Sequence, residues 1–262
     1  MLSKLVSGLA ALSLASLALS RPNSGYAIEG RSLEERSLEE RSLEERAAVS
    51  STIWCGPVLA AAARQVSAEW TIPRVTLPSP NVGQTAPMFY QWVGMDGVRA
   101  SSCGSALLQA GTSQVWNGRA FVYDVWLEFY TPANTSSWHF TYPVVRPGDN
   151  VRTTVTAGSD SLSGTVLIEN LTNRQSNTWN LRATGNYPLC FQNVEWINEA
   201  PTGKLPGFPN FSFNSLSYTD WNGRVSTATG ANLWYINTSS AQCSATLSSD
   251  GRTASFTNAA PR

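Results

Sequence analysis

In the stretch SALLQAG, Ser105 to Gly111, three apolar residues that ask for a core are followed by Gln109. Its amide needs several hydrogen-bond partners. Such a residue is either a solvent-facing strand position or a donor held against something reactive. A second polar residue of interest, Glu199, closes CFQNVEWINEA nine residues after Cys190. Alternation puts Glu195, Ile197 and Glu199 on one strand face and Val194, Trp196 and Asn198 on the other. A carboxyl and a neutral amide on one surface can together supply a base, an acid and a hydrogen-bond donor. The two residues are far apart in sequence, so the fold must bring their strands together. A Cys103–Cys190 disulfide would do so, and a bond elsewhere would undo the argument.

The elements around them read as strands. SAEWTIP, FYQWVGMDG, AFVYDVWLEFY, NVRTTVTAG, GTVLIENLT, TWNLRATG, NVEWINEA, NFSFNSLSYT, NLWYINT and TASFTN are short and bounded by Gly, Pro, Asn or Ser. LAAAARQVSA fits a helical turn or a strand edge equally, and no long amphipathic helix is present. Ten or more strands in one domain predict an all-β, two-sheet antiparallel sandwich of jelly-roll, concanavalin-like type. In FVYDVWLEFY, Phe121, Tyr123, Val125, Leu127 and Phe129 share a core face. Val122, Asp124, Trp126, Glu128 and Tyr130 share the other, which mixes carboxylates with aromatics as a binding groove does.

The chain has 262 residues and a formal net charge of +0. Residues 1–20, with Lys4 before an apolar run, read as a signal peptide. Residues 21–46 contain RSLEE three times. A five-residue period gives no apolar stripe, so this part is expected to be a pro-segment outside the fold. Residues 47–262 are then the β-sandwich domain, long enough to bury roughly 70% of its surface. The expected protein is secreted and extracellular. It has no basic patch for nucleic acid and no later span for a membrane, and it is expected to be a monomer. Four cysteines, Cys55, Cys103, Cys190 and Cys243, suggest two disulfides with three possible pairings. Without a CxxC, and with His139 as the only histidine, a zinc site is not expected, nor any other metal or cofactor. His139 itself, in SSWHFTYP, reads as a packed or surface residue. Sequons stand at Asn134, Asn170, Asn210 and Asn237.

The ordered motifs WCG (Trp54 to Gly56), WVGMDG (Trp92 to Gly97), Cys103, ALLQAG, YDVWLEF, ENLT (Glu169 to Thr172), Cys190 and VEWINEA resemble the glutamic peptidases, or eqolisins, secreted mostly by fungi. The resemblance covers most of the chain from about Ser51. It implies two packed, curved antiparallel sheets with the site on the concave face. It matches Gln109 and Glu199 to the catalytic pair, with Trp92, Asp96, Asp124 and Glu128 lining or supporting the site. It also implies Cys103–Cys190 and Cys55–Cys243 disulfides. Two extra residues before Cys103, Ala200 in place of an Asp, and Cys55 in place of a Gly are departures. With a reference pKa of about 4.3, Glu199 would be substantially ionised in mild acid. It would then act first as base and afterwards as acid, with Gln109 as oxyanion donor. The expected activity is that of a secreted acid endopeptidase on protein or peptide substrates. The rival readings are a polysaccharide-cleaving glycosidase using Glu128 with Glu199, and a lectin-like carbohydrate-binding sandwich.

Overall fold

The computed structural model describes residues 48–77, 86–98 and 106–259. The segments expected to be signal peptide and pro-segment, and Cys103, lie outside the described residues. In chain order the strands are β1 (Ala48–Ser51), β2 (Trp54–Ala60), β3 (Gln65–Thr71), β4 (Met88–Asp96), β5 (Leu107–Trp116), β6 (Phe121–Tyr130), β7 (Trp138–Phe140) and β8 (Asn150–Ala157). They continue with β9 (Ser163–Asn170), β10 (Gln175–Arg182), β11 (Asn193–Glu199), β12 (Phe211–Thr219), β13 (Val225–Ser226), β14 (Asn232–Asn237), β15 (Gln242–Leu247) and β16 (Ala254–Thr257). No helix occurs among the described residues. LAAAARQVSA is therefore not a helical turn: it is the end of β2, a connection, and the start of β3.

One layer runs β7-β6-β5-β4-β11-β2-β14, and the other runs β10-β9-β8-β3-β12-β16-β15. Antiparallel pairing of β14 with β15 joins them, and β1 adds to β14 in parallel. The resulting sandwich is the expected fold class. Its core lies between the layers. Trp70 stacks on Phe213 with ring centroids 4.6 Å apart, and Phe256, Trp196, Phe89 and Phe129 fill the space around them. The alternation in β6 holds, with Val125, Leu127 and Phe129 facing this core and Trp126 and Tyr130 belonging to a second apolar cluster on the outer face of the first layer.

A disulfide joins Cys55 of β2 to Cys243 of β15. Next to it, Gly56 (φ +144°) lets β2 approach β11, because a Cβ there would stand 2.1 Å from the Trp196 carbonyl oxygen. That contact sets Trp54 opposite Glu199. One sequon fails on geometry. Asn170 is fully buried, and its amide nitrogen donates to the Val144 carbonyl at 2.8 Å and to Asp149 at 2.7 Å, which leaves no room for a glycan. Asn210 and Asn237 are exposed, and Asn134 is half-buried in a turn.

Candidate active site

The ladder itself brings the distant strands together. β11 pairs with β4, β4 with β5 and β5 with β6, so the approach of Gln109 and Glu199 needs no crosslink. Cys190 is disulfide-bonded, but its expected partner Cys103 is outside the described residues. Register lines up Glu195, Gly94, Gln109 and Glu128 in one row across the four strands. Ile197, Trp92, Gly111 and Trp126 form the next row, and Glu199, Tyr90, Ser113 and Asp124 the one after. Glu199 therefore starts two rows away from Gln109.

Trp92 bridges that offset. Its indole lies over Gly94, where a Cβ would sit 2.9 Å from the ring and 3.1 Å from the Gln109 Cβ. The indole Nε1–H donates to Glu199 Oε2 at 2.8 Å. Trp54 meets Trp92 edge-on at 5.1 Å and closes the same wall. As a result Gln109, Glu128 and Glu199 line one cleft of about 490 Å³, together with Ile53, Trp54 and Tyr130.

The Gln109 amide is buried, and its nitrogen donates to Glu128 Oε2 at 2.9 Å. An amide nitrogen carries two hydrogens. One is fixed on Glu128 Oε2, so the nitrogen and its second N–H are held in a defined orientation. Burial pushes the Glu128 carboxyl above its ordinary range, opposed by this hydrogen bond from Gln109. Burial also pushes Glu199 up to about 7, against the hydrogen bonds from Trp92 and Trp54 and with help from the Glu128 charge. This shift runs against the expectation of a carboxylate ionised in mild acid. The wall of tryptophans that positions Glu199 also strips water from it, which favours the neutral form.

Asp124 and Asp96 lie at the margins. Asp124 accepts from the Ser113 hydroxyl and pairs with His139 Nδ1 at 3.1 Å, outside the cleft lining. Asp96, in the left-handed region at φ 68°, accepts four backbone N–H groups, from Cys190, Phe191, Gln192 and Asn193 at 2.6–3.3 Å. It fixes the entry of β11 and touches no reacting group. An Asp96→Ala variant is expected to lose about 3 kcal/mol or more of stability, since hydrogen bonds to a charged group contribute roughly 1.5–3 kcal/mol each. Chemical denaturation of the purified variant measures this.

Sequence reasoning did not single out Ser113 or His139 as partners of Asp124, nor Tyr90 as the partner of His139, because these contacts span four strands. It placed Glu195 on the cleft face but did not foresee its state. Glu195 is fully buried, and among the described residues neither of its carboxyl oxygens has a hydrogen-bond partner. Burial, with the Asp96 charge added, drives its pKa well above the ordinary value. The native protein therefore holds this proton where the unfolded chain releases it. The contribution is complete below the ordinary carboxyl range of about 4.3 and is lost as pH rises toward the raised native value. Stability should fall from mild acid toward neutral pH, by up to about 1.4 kcal/mol per pH unit for each such retained proton. Glu195→Gln should flatten that slope in denaturation curves recorded across pH.

Known proteins resemble this chain in sequence and in fold. The chain is 32% identical to Aspergillopepsin-2 of Aspergillus niger over 164 residues, covering 57% of this chain and 56% of that protein. It is 34% identical to Scytalidopepsin B of Scytalidium lignicola over 123 residues, covering 47% and 43%. The match thus spans about half the length of these relatives. Among solved structures, scytalido-glutamic peptidase with a transition state analog inhibitor superposes with a TM-score of 0.64 at 26% identity, over 79% of this chain and 98% of that one. The aspergilloglutamic peptidase from Aspergillus niger gives 0.54 at 27%, over 65% and 98%. Residues 52–256 match the Peptidase A4 family, the glutamic peptidases or eqolisins, and the chain belongs to that family.

Proposed function

We propose that this chain is a secreted acid endopeptidase that hydrolyses peptide bonds in proteins by means of Glu199 and Gln109. The observation that carries the reading is the shared cleft, in which a proton-retaining carboxyl and an oriented amide face the same space. In mild acid Glu199 enters the cycle protonated. Trp92 donates to Oε2 and Trp54 also donates to this carboxyl, so the group is held in a fixed orientation at the cleft wall. Glu199 passes its proton to the scissile carbonyl oxygen, which also accepts the free N–H of Gln109. The carboxylate so formed takes a proton from the attacking water as its oxygen bonds to the carbonyl carbon, giving a neutral tetrahedral diol. Glu199 then protonates the nitrogen, the C–N bond breaks, and one diol hydroxyl returns its proton to Glu199. The products are an acid and an amine, and the carboxyl ends as it began. Water is the nucleophile, so no acyl-enzyme forms, and no step calls on a metal.

The order of roles is thus acid, base, acid, where an ordinary carboxyl would have been base first. The grouping of Trp54, Trp92, Trp126, Tyr130 and Trp234 in one apolar cluster supports a groove for the flanking residues of a peptide. Residues 1–20 and 21–46 are taken as signal peptide and pro-segment, absent from the working monomer. Incubation with an unfolded protein in mild acid tests the reading: new amino termini are expected. Cleavage of polysaccharide, or carbohydrate binding without turnover, would replace it.

A further inference from the structure

Beside the cleft, four polar side chains form a chain of contacts that the hydrolytic steps do not use. His139 of β7 places Nδ1 3.1 Å from Asp124 Oδ2, and its Nε2 lies 3.2 Å from the Tyr90 hydroxyl and 3.1 Å from the Ser137 hydroxyl. Tyr90 is the cross-strand neighbour of Glu199. Its ring packs on Trp126 at 4.8 Å, within the apolar cluster of the cleft face. Burial, then the charges of Asp124, Glu199 and Glu128, hold the phenol protonated far above its ordinary range. Tyr90 therefore has one hydrogen to give at every working pH, and only its direction can change.

Donor counting fixes that direction. An ionised carboxylate only accepts, so Nδ1 facing Asp124 carries a hydrogen in either state of the ring. In the neutral ring Nε2 has a single lone pair. Ser137 is partly exposed and can turn to water, whereas Tyr90 is almost fully buried, so the lone pair takes the Tyr90 O–H. In the imidazolium Nε2–H donates instead. The Tyr90 oxygen becomes the acceptor and its hydrogen must point elsewhere. The titratable groups facing this pair are Asp124 and Glu128 from β6, Tyr90 from β4 and Glu199 from β11; β5 contributes the uncharged Ser113.

We propose that His139 is a positioning residue for peptide binding: protonated, it turns the Tyr90 O–H toward the cleft, where that group donates to a main-chain carbonyl of the peptide. Acid thus creates a donor that neutral pH withdraws. The inference rests on the peptidase reading above, and the experiment separates the two.

Binding of an uncleaved substrate peptide is measured by calorimetry in a Glu199→Gln background, which removes both turnover and the titration of Glu199. Between pH 5 and 8, affinity should drop about fivefold, the effect of one neutral hydrogen bond. The drop should track the protonation of the single imidazole in the chain, followed by NMR in the same samples. Adding Tyr90→Phe should give weak binding without the pH step, and adding His139→Gln should abolish the step. A step that survives in Tyr90→Phe, or an imidazole that carries its hydrogen on Nε2 when neutral, overturns the switch alone. No peptide binding at any pH overturns the peptidase reading along with it.

Discussion

A Glu199→Gln variant is expected to fold normally and to lose peptide hydrolysis down to background, a fall of roughly 10⁴-fold in kcat/KM. That is the upper end of what a positioned acid–base group contributes. The upper end applies because this one carboxyl performs every proton transfer in the scheme. The amide keeps the shape of the side chain and can still face the Trp92 indole, which donates to Glu199 Oε2 at 2.8 Å. It has no transferable proton in mild acid. Steady-state kinetics on a protein-derived peptide, with circular dichroism as the check on folding, decides the matter. Near-normal hydrolysis by the folded variant would remove Glu199 from the mechanism.

The second large effect falls on Gln109. Gln109→Ala should lower kcat/KM by about 10²–10³, the usual cost of losing one donor to the reacting carbonyl oxygen. The loss should appear in kcat more than in KM, because the donor is needed most where charge develops on oxygen. It also frees Glu128, which now accepts from the Gln109 nitrogen at 2.9 Å. Gln109→Glu should be no better than the alanine. It would set a second carboxyl against Glu128 and near Glu199, raising one pKa and putting a charged acceptor where the carbonyl oxygen needs a donor. Single-turnover rates on the same peptide measure both variants. Unchanged turnover in Gln109→Ala would make the amide a structural residue.

Much of the frame was legible because strand alternation is a local signal. FVYDVWLEFY divides into a core face and a groove face by counting alone, and the faces lie as counted. The approach of Gln109 to Glu199 was legible in outcome but not in cause. A disulfide was invoked where ladder pairing, a tryptophan and a facing glycine suffice. LAAAARQVSA was ambiguous because Ala, Leu, Gln and Arg favour helix in isolation. Pairing of β2 with β11 and of β3 with β8 and β12 overrides that preference. Asp96 read as a site residue because it sits inside WVGMDG, yet its four partners come from the loop before β11 and that strand's first residue, almost a hundred residues later. The protonation of Glu199 and Glu195 was beyond sequence reading altogether. Desolvation is the sum of what several strands place around a carboxyl, and no single segment carries it.

The dependence of kcat/KM on pH in the wild-type protein tests the central claim most directly, since it asks in which protonation state Glu199 begins. With the carboxyl raised to about 7 and acting first as acid, hydrolysis of a peptide should hold through mild acid. It should then fall as pH rises through that value, approaching about tenfold per pH unit beyond it. A rate that instead climbs from mild acid to pH 7 would show that Glu199 begins as the ionised base, and would contradict the account.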